Sequence, residues 1–533
     1  MDFLLAVLPI AFLIYVMTKK ESWPSQRSLP AAATLVYFLV LVHSRLDANL
    51  VNATVLNGTL SALTPISIIW GAILLSNTMR RSGAERVIGT WLKEVSSNPV
   101  AQLMIVGWSF PFMIEGASGF GTPAAIAAPL LVGLGFEPVR VAILTLVMNS
   151  VPTTFGAVGT PMWFGFSQVP LSPSEILAVS WKSALVHSVA ALFVPVIALR
   201  SMVGWVQTRD NLLYVYLSIL SCVLPSLVLS RFNYEFPSLV GGAIGLCLSV
   251  LMARYQLGLA PHATRNHATR HEVEHGPSRE HHEPFLAIAP YLILIIVLIS
   301  TRVRFLPLRA WLNAESPRLT LDWGSLGIFS VSAALVFKLE SIFGTSSTWS
   351  YSALFVPALI PFVAVVLLSM PLLRIDRHTV KRAVEDTTHR LAGPSVTLVG
   401  ALIMVQLMTL GGDRAQTMTI GRTFAAVTGK SWPFFAPALG ALGAFFSGSA
   451  TVANLTFAAI QDSIAHTLGF NRTSILALQS VGAAMGNMVA ISNIVAVTSI
   501  LGLVKQEGVV LKGTAVPLAA YGLIAGVSGL ILA

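Results

Sequence analysis

Glu115-Gly-Ala-Ser-Gly-Phe-Gly-Thr-Pro-Ala-Ala-Ile126 interrupts a long apolar stretch, and Ser447-Gly-Ser-Ala-Thr-Val-Ala-Asn-Leu-Thr-Phe-Ala-Ala-Ile460 interrupts another in the second half of the chain. Thr122-Pro-Ala-Ala-Ile126 matches Thr456-Phe-Ala-Ala-Ile460, and Leu134-Gly-Phe136 matches Leu468-Gly-Phe470. Both pairs stand 334 residues apart, 122 to 456 and 134 to 468. Gly/Ser/Thr/Asn-rich breaks at corresponding places of two halves are the signature of a transporter whose binding site is made from interrupted helices.

Composition agrees. Of 533 residues, 55% are hydrophobic and 11% charged, with mean hydropathy +0.76; a water-soluble domain would expose far too much apolar surface. The reading is an all-α polytopic membrane protein. Apolar runs able to cross a hydrocarbon core of ~30 Å recur along the chain. We count twelve to fourteen, arranged as two repeats, expected to be inverted, with broken or re-entrant helices. Residues 1–253 form the first half, with a repeat core at 99–165. Residues 254–284 form a hydrophilic linker, and 285–533 the second half, with a repeat core at 432–503.

The run Phe3 to Met17 lacks a basic leader and is followed by Lys19 and Lys20 rather than a small-residue cleavage site, so it reads as a spanning helix and not a signal peptide. Lys19, Lys20 and Arg27 place its far end in the cytoplasm by the positive-inside bias. Leu29–Ser44 then goes out and Ser61–Met79 returns, ending at Arg80, Arg81 and Arg86. The second basic cluster falls on the side of the first. The net charge of +10 is therefore explained by short connecting loops, without a nucleic-acid partner. Cys222 and Cys247 sit in apolar runs and read as small hydrophobes.

Two segments break the apolar pattern. Arg254 to Pro284 carries His262, His267, His271, His275, His281 and His282 among Arg and Glu; the spacing fits no closed ligand set, so no metal is assigned and a solvated loop is expected. Asp376 to Arg390 mixes Arg377, Lys381, Arg382 and Arg390 with Glu385 and Asp386, which reads as a cytoplasmic surface helix. Enzyme signatures are missing. There is no His-Glu-x-x-His and no Gly-x-Ser-x-Gly, and Thr428-Gly-Lys-Ser431 lacks the earlier P-loop glycine because Phe424 stands there. Gly119-Phe-Gly121 has no third glycine and no preceding strand. No catalytic residue or cofactor is assigned, and the chain is read as a non-enzyme.

Backbone that leaves helical geometry inside a bilayer exposes polar groups costing several kcal/mol each, so it persists only where it lines a buried or wet cavity. The first-half breaks carry Gly116, Ser118, Gly119, Gly121, Thr122 and Pro123, then Asn149, Pro152, Thr153, Thr154, Gly156, Gly159 and Pro161. Ser447, Gly448, Ser449, Thr451 and Asn454 answer in the second half, followed by Gly482, Gly486, Asn487, Ser492 and Asn493. A half-helix starting at such a break directs amide hydrogens and positive dipole at the cavity, which suits a carboxylate. The Ser, Thr and Asn side chains add neutral hydrogen-bonding groups. The plainer alternative is that small residues there permit close helix packing, as assumed for Gly241-Gly242-Ala-Ile-Gly245.

Glu115 is the sharpest single residue. A carboxylate inside a span costs about 2.5–3.5 kcal/mol on insertion scales unless neutralised or paired. Placed directly before the first break, it is the candidate proton-coupling group; a protonated glutamate bonding a free carbonyl is the structural alternative. Lys182 and His187 also lie in an apolar run, explained equally by a snorkelling lysine and a packing histidine.

At these positions the chain resembles the L-lactate permease family. The resemblance rests on Gln102-Leu-Met-Ile-Val-Gly107, Glu115 to Pro123, Leu130-Leu-Val-Gly-Leu-Gly-Phe136 and Phe155-Gly-Ala-Val-Gly159. In the second half it rests on Phe445-Phe-Ser-Gly-Ser449, Asn454, Gln461 and Gly502-Leu-Val504. It implies uptake of short 2-hydroxy monocarboxylates such as L-lactate, D-lactate and glycolate with protons, and a place in a superfamily of inverted-repeat ion transporters that move in an elevator-like way. The family pattern has an acid after Gly-Ser and a lysine after a later glycine; here those positions are Ala450 and Asn487. Joint loss of an acid and a base is expected of a former pair, because removing one alone leaves an uncompensated charge costing about 3–5 kcal/mol.

The expected function is secondary active import of a small monocarboxylate by proton symport across the cell membrane, the two breaks holding the anion and Glu115 the proton. The alternatives are a sodium-coupled carrier of another organic anion, favoured by the neutral oxygens around Ser492 and Asn493, and an uncoupled anion channel. Expected partners are the anion, the lipid bilayer and, as a candidate assembly, a second copy in a homodimer.

Overall fold

The computed structural model describes residues 2–19, 23–119, 122–260, 283–302, 306–356, 359–503 and 506–533. The six linker histidines, His262 to His282, lie outside them. Among the described residues nine helices are long and apolar enough to cross a bilayer, and a bent pair, Pro138–Asn149 with Pro152–Trp163 at 56°, makes a tenth. Three shorter apolar helices, Phe3–Met17, Pro284–Leu298 and Ile360–Leu372, fall below spanning length, so the described residues hold nine or ten candidate spans where the count from the sequence is twelve to fourteen.

Helix Arg377–Thr409, 33 residues long, is the mast of the first bundle and packs on Ser25–Val42, Ala48–Ser61 and Leu63–Arg81. Gly400 makes this possible, since a Cβ there would meet the Pro30 nitrogen at 2.6 Å. Polar contacts fix the register. Ser25 Oγ lies 3.3 Å from Thr397 Oγ1, Asn77 Nδ2 donates to Thr387 Oγ1 at 2.9 Å, and Arg81 pairs with Asp386. The segment expected as a separate surface helix, Asp376 to Arg390, is instead the first part of this continuous helix, capped by Asp376. Arg81 and Asp386 meet, so the basic end of Leu63–Arg81 lies beside the charged first part of Arg377–Thr409.

The two repeat cores follow one order. In the first, Pro99–Met104, the π-turn Ile105–Ser109 and Phe110–Ser118 lead to a break at Gly119. Thr122–Val132 and Pro138–Asn149 follow, then the 3-10 turn Pro152–Phe155 and Gly156–Trp163. In the second, Trp432–Ser447 leads to a break at Gly448, then Ala450–Leu468, Arg472–Gly486, the 3-10 turn Asn487–Val489 and Ile491–Ile500. The helices beginning at Pro138 and Arg472 start 334 residues apart, and each is capped by the side chain just before it, Glu137 or Asn471. The breaks are not at that offset. Gly448 precedes the residue matching Gly119, so the following helix has 19 residues where its counterpart has 11.

Glycines let these cores pack backbone to backbone. A Cβ on Gly116 would lie 2.5 Å from Leu239 Cα, and one on Gly242 equally close to Met113 Cα, so Phe110–Ser118 lies directly on Pro237–Arg254. Gly440 and Gly486 do the same between Trp432–Ser447 and Arg472–Gly486.

Among the described residues one element is not helical. β1 (Arg318–Asp322), β2 (Ile328–Ser332), β3 (Val336–Glu340) and β4 (Trp349–Ser352) form an antiparallel meander in chain order. Leu339, Ile342 and Trp349 pack on Ala53, and Asn57 Nδ2 donates to Thr348 O at 2.7 Å, seating the sheet on Ala48–Ser61.

Candidate functional site

Glu115 stands in the last turn before the first break and is buried. Its Oε2 accepts a hydrogen bond from Asn149 Nδ2 at 3.0 Å, so the acid of one broken segment is held by the end of the next. Gly156 gives its carboxyl room, because a Cβ there would run into Oε1. Gly119 turns the chain at φ 58°, ψ −156°, and packs against Ala157. Ala157, Val158 and Gly159 are all left-handed, at φ 44°, 56° and 67°. A β-branched residue there is strained by about 1–3 kcal/mol, a cost found chiefly at functional sites.

The second break faces the first. Gly448 turns at φ 69°, and Ser449 caps Ala450–Leu468 by accepting from the Val452 amide at 3.3 Å. Ser449, Ala450 and Thr451, the first turn of that helix, join Glu115, Gly119, Thr153, Gly156, Ala157, Pro161, Gly448 and Asn487 around one cavity. Its volume of about 20 Å³ has the room of roughly one water. The positive end of a 19-residue helix and an acid therefore share one small chamber. Asn454 ties the halves together, donating from Nδ2 to Pro161 O at 2.9 Å.

Asn487 lines this chamber and also a larger cavity of about 490 Å³. Asn149 and Asn493 stand on the wall of the larger space, and Asn493 Nδ2 bonds Asn487. Ser76, Arg80, Glu85, Arg86 and Arg390 also line it. The larger cavity is thus a cationic vestibule that shares Asn487 with the chamber. Sequence reading used Arg80 and Arg86 only for topology, Arg390 only as part of a cytoplasmic surface helix, and Glu85 not at all. The single available signal was Glu85 beside two arginines at the end of a span.

Other predicted site residues have local duties. Gly116 packs on Leu239, and Ser118 Oγ donates to Ile114 O at 3.0 Å. Ser447 Oγ bonds Gly443 O at 2.7 Å within its own helix, and Ser492 packs on Gly448. Thr153 Oγ1 donates to Asn149 O at 2.6 Å while lining the chamber. Thr154 Oγ1 meets His187 Nε2 at 2.6 Å, and His187 Nδ1 meets the Tyr521 hydroxyl, so this histidine is a fully bonded core residue. Lys182 reaches Asn471, Thr473 and Ser474 at 2.8–3.1 Å. Gly121 and the Thr122 side chain lie outside the described residues.

Comparison with known proteins points the same way. The family model described as L-lactate permease matches residues 2–533. A putative L-lactate permease of Haemophilus influenzae is 48% identical over 532 residues, covering 100% of this chain and 98% of that one. A glycolate permease of Escherichia coli K12 is 26% identical over 483 residues, covering 86% and 82%. The crystal structure of the Alcanivorax borkumensis YdaH transporter, with 14% identity and a TM-score of 0.45, covers 99% of this chain and 98% of that one. With its two helix breaks, its vestibule and a match over nearly its whole length, the chain is a multi-pass membrane transporter belonging to the L-lactate permease family.

Proposed function

We propose that the protein imports a small 2-hydroxy monocarboxylate, L-lactate, D-lactate or glycolate, across the cytoplasmic membrane together with a proton. One observation carries this reading: Glu115, the first turn of Ala450–Leu468 and Asn487 border one chamber built from both breaks. The helix end suits the carboxylate, the Asn and Thr groups suit the 2-hydroxyl, and Glu115 takes the proton. By the positive-inside bias the arginine-lined vestibule opens to the cytoplasm. The chamber is far smaller than any such substrate, so the halves must separate for loading, which is the role of alternating access between repeat core and surrounding helices.

A proton moving with a monoanion carries no net charge. Uptake into proteoliposomes should follow an imposed pH gradient and ignore a potassium–valinomycin potential, which would act at ~2.3 kcal/mol per charge per 100 mV. Sodium-dependent, voltage-sensitive uptake would instead establish the sodium-coupled alternative, and flux without accumulation the channel.

A further inference from the structure

Glu85 is the acid that the proposed transport cycle leaves unused. It sits one residue into the short helix Ala84–Glu94, which is not a candidate span, and is only 8% exposed. Its Oε1 is buried without a hydrogen-bond partner, on the wall of the 490 Å³ vestibule. Arg80 and Arg390, from two separate helices, line the same wall and act electrostatically on it.

The groups around Glu85 are few. Leu63–Arg81 brings Arg80, whose Nη2 is held by Asn77 Oδ1 at 2.9 Å, and Arg81, engaged with Asp386. Pro284–Arg302 brings Tyr291, whose buried hydroxyl lacks a hydrogen-bond partner. Ile105–Ser109, also packed on this helix, has no titratable group, and Arg86 follows on the same helix. Arg390 comes from Arg377–Thr409. The cations outnumber the acid, and neither Arg80 nor Arg390 forms a close ion pair with it.

We propose that Arg80 and Arg390 form a second carboxylate-binding station at the vestibule mouth, which accepts the transported anion when Glu85 carries a proton and is closed when Glu85 is ionised. This deepens the monocarboxylate reading and rests on it for the identity of the anion. With Glu85 neutral, the acid left acting on these two guanidinium groups is Asp386, which is already paired with Arg81. With Glu85 charged, the carboxylate competes with the anion for them. Burial pushes Glu85 up to about 8, against the lowering influence of Arg80 and Arg390, so the change falls in the range a cytoplasm samples. Anion and proton should therefore favour each other's binding by the same factor.

The test uses the full chain in proteoliposomes with Ser76→Cys, a vestibule residue, and the parent chain with its own Cys222 and Cys247 as baseline. The readout is the ratio of modification rates by an anionic and a cationic methanethiosulfonate, which needs no transport. Below about pH 7 the anionic reagent should be favoured, and Arg80→Gln with Arg390→Gln should lower the ratio about tenfold. The ratio should fall on going to about pH 10 in Ser76→Cys and stay flat when Glu85→Gln is added to it. An unchanged ratio in the double arginine variant, or a pH dependence persisting in Glu85→Gln, overturns the proposal. Protection of the thiol by L-lactate supports both readings. Protection by acetate or succinate alone supports the station while rejecting the 2-hydroxy substrate, and protection by no small carboxylate overturns the station.

Discussion

Asn149 donates from Nδ2 to Glu115 Oε2 across 3.0 Å, while its own Oδ1 is buried without a hydrogen-bond partner. Asn149 also borders the vestibule, so one amide fixes the acid and holds a buried, unpartnered carbonyl acceptor beside that space. That acceptor suits the 2-hydroxyl of lactate. Asn149→Ala should cut the preference for L-lactate over propionate, which lacks the hydroxyl, by about tenfold, or about 1.4 kcal/mol. Competition of unlabelled propionate against labelled lactate measures it; an unchanged ratio would remove Asn149 from recognition.

Gly156 is a steric seat for Glu115, since an added Cβ would collide with Oε1. Gly156→Ala should displace the carboxyl and reduce uptake severely. Gly508, with nothing within 4 Å of an added Cβ, is the control, and Gly508→Ala should transport normally. Equal loss in both variants would show that glycine content, rather than this seat, matters.

Ala450 and Asn487 line the same chamber as Glu115, which places the two departures from the family pattern on one site. Ala450→Asp alone puts a second acid in a chamber already holding one, and should largely abolish uptake. Adding Asn487→Lys should recover much of it, with a coupling of about 1–3 kcal/mol between the two changes. Additive losses, read from uptake rates of the two single variants and the double, would deny that these positions interact.

Glu85 gives a pH-dependent stability with a definite sign. The group sits at about 8 in the folded chain against 4.5 for an ordinary glutamate, so the unfolded state releases its proton first as pH rises. Folding then loses stability between roughly pH 4.5 and 8 on account of this residue. Glu85→Gln, which stays neutral, should raise the melting temperature of detergent-solubilised protein at pH 8 and change it little at pH 4.5. A variant that melts lower at pH 8 would mean that the ionised carboxylate stabilises the fold.

Sequence carried the architecture because a bilayer leaves few options: long apolar runs must be helices, and Gly, Pro, Ser and Asn clusters within them must be breaks. The 334-residue offset pointed to two repeat cores, and the helix starts at Pro138 and Arg472 stand at that spacing. The positions of the breaks do not, because Gly448 with Ser449 stops and restarts the helix earlier than Gly119 does. The sheet escaped notice since its alternation, as in Leu319-Thr-Leu321 and Phe337-Lys-Leu339, has a period of two in a chain searched for long apolar runs. Within the site, Glu115, Asn149, Ser449, Thr451 and Asn487 were legible from their chemistry. Ser118 and Ser447 have the same chemistry but spend it on their own helices, a choice set by rotamer and local backbone. Arg80 was read as topology and Arg390 as part of a surface helix, and only tertiary packing brings residues 310 apart onto one wall, 80 and 390.

The central claim is that Glu115 carries the coupled proton. The most direct measurement compares two modes of L-lactate movement in proteoliposomes containing Glu115→Gln: accumulation driven by an inward proton gradient, and exchange of labelled for unlabelled lactate at equal pH. A permanently neutral side chain should abolish accumulation while preserving exchange, because the loaded, protonated form can still cross. Undiminished accumulation by Glu115→Gln would contradict the claim and move proton coupling to another group.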